Sequence, residues 1–163
     1  MKSTDDERRA FLPAVSLLEI RSAKYDEAKE IKIVANSHPY TKHFSHPAYC
    51  NRPNFAAGNV IVAVVPPGKI VGFVSMKEKK NRYTEIDIIC VLPEYRSLKI
   101  GEKLLDYVKE RMSTPAIELN VQTDNEKAIK FYLRYGFSRH GVNIVANTEA
   151  ARMRMVCKRG ALL

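Results

Sequence analysis

The sequence predicts an α/β protein of the α+β kind, with a central mixed, mostly antiparallel sheet of about six to seven strands flanked by helices. Three observations predict it. Two β-branched runs, "NVIVAVV" and "IVGFVSMK", meet across "PPGK", the composition of a hairpin turn. The run "RYTEIDIICVL" stops at Pro93, which cannot donate to a sheet ladder, and from Ile100 the apolar period changes to that of a helix. A further strand and helix, "AIELNVQ" and "TDNEKAIKFYLRYG", repeat that order ahead of two closing strands.

The elements follow in order. Residues 1–15 read as a loosely held tail in which Phe11, Leu12 and Val15 could dock, and residues 16–163 as one domain. "SLLEIRSA" is a first strand, and from Lys24 the spacing of Tyr25, Ala28, Ile31 and Ala35 makes a helix. "HPYTKHFSHPAYCNRPN", Pro-rich and aromatic, is a long irregular loop or a broken helix, the kind of segment on which binding chemistry often sits. After the hairpin and the third strand, Ile100, Leu104, Leu105, Val108 and Met112 form one helical face while Glu102, Lys103, Asp106, Lys109 and Glu110 fill the other. "TDNEKAIKFYLRYG" starts with a capping box at Thr123 and Glu126 and stops at Gly136. "FSRHGVNIV" and "ARMRMVCKR" close the sheet, and the terminal "MRMVCKRGALL" could instead pair with another subunit in a homodimer.

Composition narrows the function classes. The 163 residues, 45% of them hydrophobic, suffice for a substantial core. The longest apolar runs, such as 59–65, fall far short of the roughly 20 residues that cross a bilayer, and "MKSTDDERRAFLPA" is charged where a signal peptide is apolar. Cys50, Cys90 and Cys157 show no CxxC spacing, so neither a disulfide framework nor a zinc ribbon is indicated. The expectation is a soluble protein of a reducing cytoplasm, without a membrane partner. A formal charge of +9 favours anionic partners, among them nucleic acid, an acidic protein face or a phosphorylated small molecule.

Chemistry is concentrated in two segments. At "VLPEYRSLKIG" a strand gives way to a helix, whose first N–H groups lack intrahelical partners and whose dipole favours an anion there. Arg96 and Lys99 add positive charge, and Gly101 permits close backbone approach, so a phosphate or pyrophosphate suits this turn. Downstream, "NEKAIKFYLRYGF" combines a polar cap at Asn125, an aromatic pair at Phe131 and Tyr132, and a Gly-Phe exit. The two segments, in this order and about thirty residues apart, resemble the GNAT superfamily of acyl-CoA-dependent N-acyltransferases.

In that family V-x-P-x-x-R/Q-x-x-G-x-G/A forms the pyrophosphate arm for coenzyme A, and N-x-x-A-x-x-F/L-Y-x-x-x-G-F is the second motif, which this chain matches at every stated position. "GKIVGFVSM" and "LEIRSAKYDEAKEI" resemble the family's hairpin and opening strand and helix, so the likeness runs from about Leu18 to Cys157. It implies acetyl-CoA as co-substrate and transfer to an amine of a small molecule or protein through a ternary complex; no metal is expected, since the histidines and cysteines show no ligand spacing. The arm would comprise Arg96, Ser97, Leu98, Lys99, Ile100 and Gly101, with Lys99 standing where the family has its first glycine. Ile89 and Val91 would run beside the pantetheine, the Val91 N–H being a candidate oxyanion donor. Asn125, Lys127 and Phe131 complete the cofactor set, Asn125 by bonding the pantetheine or by placing the helix.

Tyr132 occupies the position of the family's tyrosine that protonates the CoA sulfur, and a phenol of pKa about 10 is a suitable partner for a thiolate. The glutamate that some members carry twelve residues ahead of that tyrosine is Asn120 here. Period-two alternation instead puts Glu85 and Asp87 on the face of Ile89 and Val91, making either a candidate base. His38, His43, His46 and Cys50 share a loop but match no metal signature. In GNAT-like proteins this region helps form the acceptor pocket, so Tyr40, Phe44 and Tyr49 are candidate substrate contacts. Two other readings stay open: a transferase acting on nucleic acid or a ribosomal component, from the charge, and a non-catalytic CoA-binding module, from Lys99 and Asn120.

Overall fold

A computed structural model of the chain describes residues 14–80, 82–144 and 151–158. The expected tail therefore lies almost wholly outside the described residues, apart from Ala14 and a buried Val15. Seven strands form one sheet in the order β1-β2-β3-β4-β5-β7-β6. They are β1 (Glu19–Ser22), β2 (Val60–Val65), β3 (Lys69–Lys79), β4 (Tyr83–Val91), β5 (Ala116–Gln122), β6 (Ser138–Ile144) and β7 (Ala151–Lys158). The helices are α1 (Ala28–Asn36), α2 (Arg52–Ala56), α3 (Ile100–Arg111) and α4 (Glu126–Tyr135). The β4–β5 ladder is parallel, because α3 lies between the two strands in sequence and returns the chain for a second run in the same direction. The β1–β2, β2–β3, β5–β7 and β6–β7 ladders are antiparallel. No helix of the described residues is long and apolar enough to cross a membrane.

The expected first strand is shorter than its apolar run, beginning only at Glu19. The Pro-rich stretch is a broken helix: a 3-10 turn at Lys42–Ser45, then α2, whose start is fixed by Asn51 Oδ1 accepting from the Asn54 N–H at 2.9 Å and by Pro53 in its first turn. The strand order corrects one expectation. β7 is flanked by β5 and β6, so both of its edges are used within the chain and it offers no ladder to another subunit.

The chain divides into two compact units. One contains the described residues up to Ser75 together with Ile88–Val108; the other contains Met76–Asp87 and the described residues from Lys109 onward. In the first, β2 is buried at every position, as a strand covered on both faces must be. One face packs Val60, Val62 and Val64 with Ile31, Val34 and Phe44, and the Phe44 ring lies 4.8 Å from that of Phe73. The other face meets α3 at Gly72, where an added Cβ would stand 3.1 Å from the Cys90 carbonyl oxygen and 3.5 Å from Leu104 Cδ1. A larger residue there would require the Cys90 backbone to give by a few tenths of an ångström. In the second unit, Thr84–Ile86 pair with Ile117–Leu119, and the buried hydroxyls of Thr84 and Thr114 bond at 2.6 Å.

Candidate active site

In the first unit the turn expected to bind an anion forms as its residues dictate. β4 ends at Val91, the Leu92 N–H donates to the Val71 carbonyl at 2.8 Å, and Pro93 opens a 3-10 turn that buries Tyr95. Arg96 Nε then donates to the Val91 carbonyl at 3.2 Å, tying the arm to the strand's end. Ser97 and Lys99 both adopt left-handed backbone, with φ of 64° and 63°. That geometry accounts for the glycine common at this point in the resembling family: Lys99 adopts a conformation that favours glycine, at a cost of about 1 kcal/mol. Its side chain is exposed. The Lys99 carbonyl accepts the N–H of Lys103, so the N–H groups of Ile100, Gly101 and Glu102 precede the first helical bond. Backbone donors at a helix start, flanked by two exposed cations and one acid, Glu102, are chemically suited to a pyrophosphate. Ile89 and Val91 are half-buried on the β4 face opposite Cys90.

The acceptor-side candidates of the same unit separate. Phe44 is wholly enclosed in the core, so it is structural and presents no ring to a substrate. The 3-10 turn tucks it inward, which its position in a Pro-rich loop does not reveal. Tyr49 is partly buried against that core with its ring 5.2 Å from His43, and Tyr40 stacks on His38 at 5.3 Å. His46 Nδ1 accepts from the Ala48 N–H. Among the described residues no group of three or more His, Cys, Asp or Glu side chains is placed to hold a metal ion.

In the second unit, β4 alternates as its sequence does: Thr84 and Ile86 are buried, Glu85 and Asp87 half-buried on the other face. The two carboxylates differ in environment. Glu85 Oε2 lies 3.0 Å from Lys79 Nζ on β3. Asp87 Oδ2 is enclosed and has no hydrogen-bond partner among the described residues. Burial first, and then the Glu85 carboxylate, push Asp87 from 3.8 up to about 6, against the opposing pull of Lys77 and Lys79. A carboxyl so placed is a base at neutral pH whose conjugate acid still forms readily. The pairing of Lys79 with Glu85 was missed from sequence, because it depends on a register between strands that the sequence does not spell out. Asn120 is exposed on β5.

On α4, Asn125 is the N-cap, its Oδ1 accepting from the Ala128 N–H at 3.4 Å. This replaces the expected Thr123–Glu126 box, because the helix begins two residues after Thr123 would require. Lys127 is exposed and Phe131 half-buried. Tyr132 is buried, its ring making edge contacts with Phe131 at 5.3 Å and Phe137 at 5.4 Å. Its carbonyl accepts the N–H groups of Gly136 and Phe137, and Gly136 takes φ of 123°. This is the helix-ending geometry in which a residue past the cap folds back onto the last turn. The "YLRYGF" run thus fixes the Tyr132 ring by backbone and by packing together.

Residues 19–137 match the model of the Acetyltransferase (GNAT) family. A 5-NmdU N-acetyltransferase of Pseudomonas phage PaMx11 is 32% identical over 130 residues, covering 78% of this chain and 92% of its own length. A solved structure described as a streptothricin acetyltransferase of Bacillus anthracis str. Ames, in complex with acetyl coenzyme A, is 27% identical with a TM-score of 0.56, and the match spans 61% of each chain. The fold is also that of a GNAT-family acetyltransferase of Bacillus cereus ATCC 10987, at a TM-score of 0.72 over 86% of this chain and 96% of that one, with 18% identity.

Proposed function

The chain belongs to the acetyltransferase (GNAT) family, and on that premise we propose that it transfers an acetyl group from acetyl-CoA to an amine, with Asp87 as the base and Tyr132 as the acid. Bound acetyl-CoA supplies an activated acyl carbon and a thiolate leaving group. The arm from Arg96 to Gly101 holds the pyrophosphate by its backbone N–H groups, with Arg96 and Lys99 adding charge. Asn125, Lys127 and Phe131 are the residues assigned to the cofactor, and the Val91 N–H is the donor assigned to the developing oxyanion. Asp87 takes the proton from the acceptor's nitrogen, and the Tyr132 hydroxyl gives one to the departing sulfur. Glu85 is set aside as base because Lys79 engages it. The observation that carries the assignment is the enclosed Oδ2 of Asp87, which has no hydrogen-bond partner among the described residues.

A second reading places the amine on nucleic acid or a ribosomal component, favoured by the formal charge of +9. One relative is named for 5-NmdU, so that amine heads the acceptor panel, beside diamines and peptide N-termini. The test is calorimetric titration with acetyl-CoA and with CoA, run beside thiol release over the panel. Micromolar binding, about −8 kcal/mol, is expected, together with turnover on at least one amine. Tyr132→Phe should keep that affinity and lose at least about a hundredfold in kcat. Binding with no turnover on any amine would leave a CoA-binding module instead.

A further inference from the structure

We propose that the Lys79–Glu85 ion pair is a positioning device for Asp87, holding a fixed arrangement of charge beside that carboxyl and so setting the pH at which it can take a proton. The inference rests on the reading of Asp87 as the base. Glu85 and Asp87 are two residues apart on one face of β4, which puts their backbones about 7 Å apart. A glutamate there is ordinarily free to sample several rotamers and to turn away. The 3.0 Å contact with Lys79 from β3 holds it in one place.

That contact contributes little to stability, since the Lys79 side chain is 43% exposed and pairs of this kind are screened by water. Its effect on a neighbouring enclosed carboxyl is another matter: Asp87 Oδ2 has no hydrogen-bond partner among the described residues, so burial first, and then the charges around it, set its proton affinity. Those charges are Glu85 on its own strand and Lys77 and Lys79 from β3, with Glu118 on β5 standing opposite Glu85 in the parallel register. Lys79 in turn is held charged, chiefly by its hydrogen bond to Glu85. The pair therefore combines a like charge that favours the protonated acid with a cation that limits that effect.

The two partners act with opposite sign. Glu85→Gln removes the like charge and releases Lys79, so Asp87 becomes the stronger acid. Lys79→Met removes the cation and leaves Glu85 uncompensated, so Asp87 becomes the weaker acid. For charges separated by a distance on the order of 7 Å, with an effective dielectric between that of a protein surface and water, removing one moves the titration midpoint by about half a unit to one and a half units.

The experiment is a carboxyl-carbon NMR titration of the full chain, the Asp87 signal being identified by its absence from Asp87→Asn, with thiol-release pH profiles run in parallel. The expected result is a midpoint that falls in Glu85→Gln and rises in Lys79→Met, with the acidic limb of turnover following in each. Lys79→Gln repeats the second arm with a different side chain. Folded variants whose Asp87 midpoint stays at the wild-type value, or moves the same way in both, overturn the proposal. If the midpoints move as expected while the limb of turnover stays fixed, the pair still tunes Asp87 and it is the base assignment that falls.

Discussion

Asp87 and Glu85 show how far two neighbouring carboxylates can diverge. Alternation along "TEIDIICV" places both on one face, but it cannot say which is enclosed and which is paired, because the pairing depends on the register with the neighbouring strand β3 and the enclosure on packing across the fold. An acid whose folded midpoint is raised from 3.8 to about 6 makes the native state bind more protons than the unfolded chain between those values. Asp87 therefore lowers stability as pH rises through that window, and the deficit persists above it. Asp87→Asn should gain thermal stability relative to wild type as pH is raised from about 4 to about 7, read as the difference between the two melting temperatures at each pH; a difference flat across that range would contradict the enclosed charge. Lys99 is a second residue that sequence reading could not resolve. A lysine carries no signal of positive φ, and only the family's glycine at that place hints at it. Lys99→Gly should relieve the left-handed backbone and raise stability by about 0.5–1 kcal/mol in chemical denaturation. A loss of stability would mean that the lysine side chain makes a contact that outweighs the strain.

At the level of elements, periodicity located the hairpin, β4, α3 and α4 well, because each has an apolar face whose spacing the core enforces. Caps were harder to read. "TDNE" offers Thr123 and Asn125 as rival N-caps, and the choice falls to the residue whose carbonyl already accepts the first helical bond, that from Ile129 to Asn125. The end of α4 was plainer, since glycine there meets a need for positive φ. Gly136→Ala should cost about 1–2 kcal/mol, measured by denaturation. The same change should reduce turnover more than it reduces acetyl-CoA affinity, because the Tyr132 carbonyl anchors that cap. Unchanged stability would show that the turn can relax without the glycine. Phe44 is the contrary case: a loop aromatic that looked like a ligand contact is core, because a 3-10 turn has no periodicity long enough to announce which way its side chains face.

For the whole molecule, the sheet class and the donor chemistry were legible because they lie in contiguous motifs: a strand that ends at a proline, a helix that starts on a basic, glycine-containing turn, a tyrosine ahead of Gly-Phe. Strand order was not. Nothing local distinguishes a β7 at the sheet's edge from one inserted between β5 and β6, since that choice is made by long-range ladders. The acceptor is the least legible part, because loop residues such as Tyr40, Phe44 and Tyr49 lie in no periodic pattern that says which way they face. If a base on β4 drives the acetyl transfer, it will be seen in the pH dependence of kcat/KM for thiol release in wild type and Asp87→Asn. The wild-type rate should fall about tenfold per unit below about pH 6, and the slow variant should lack this limb. A variant as fast as wild type, or one that keeps the same limb, would contradict it.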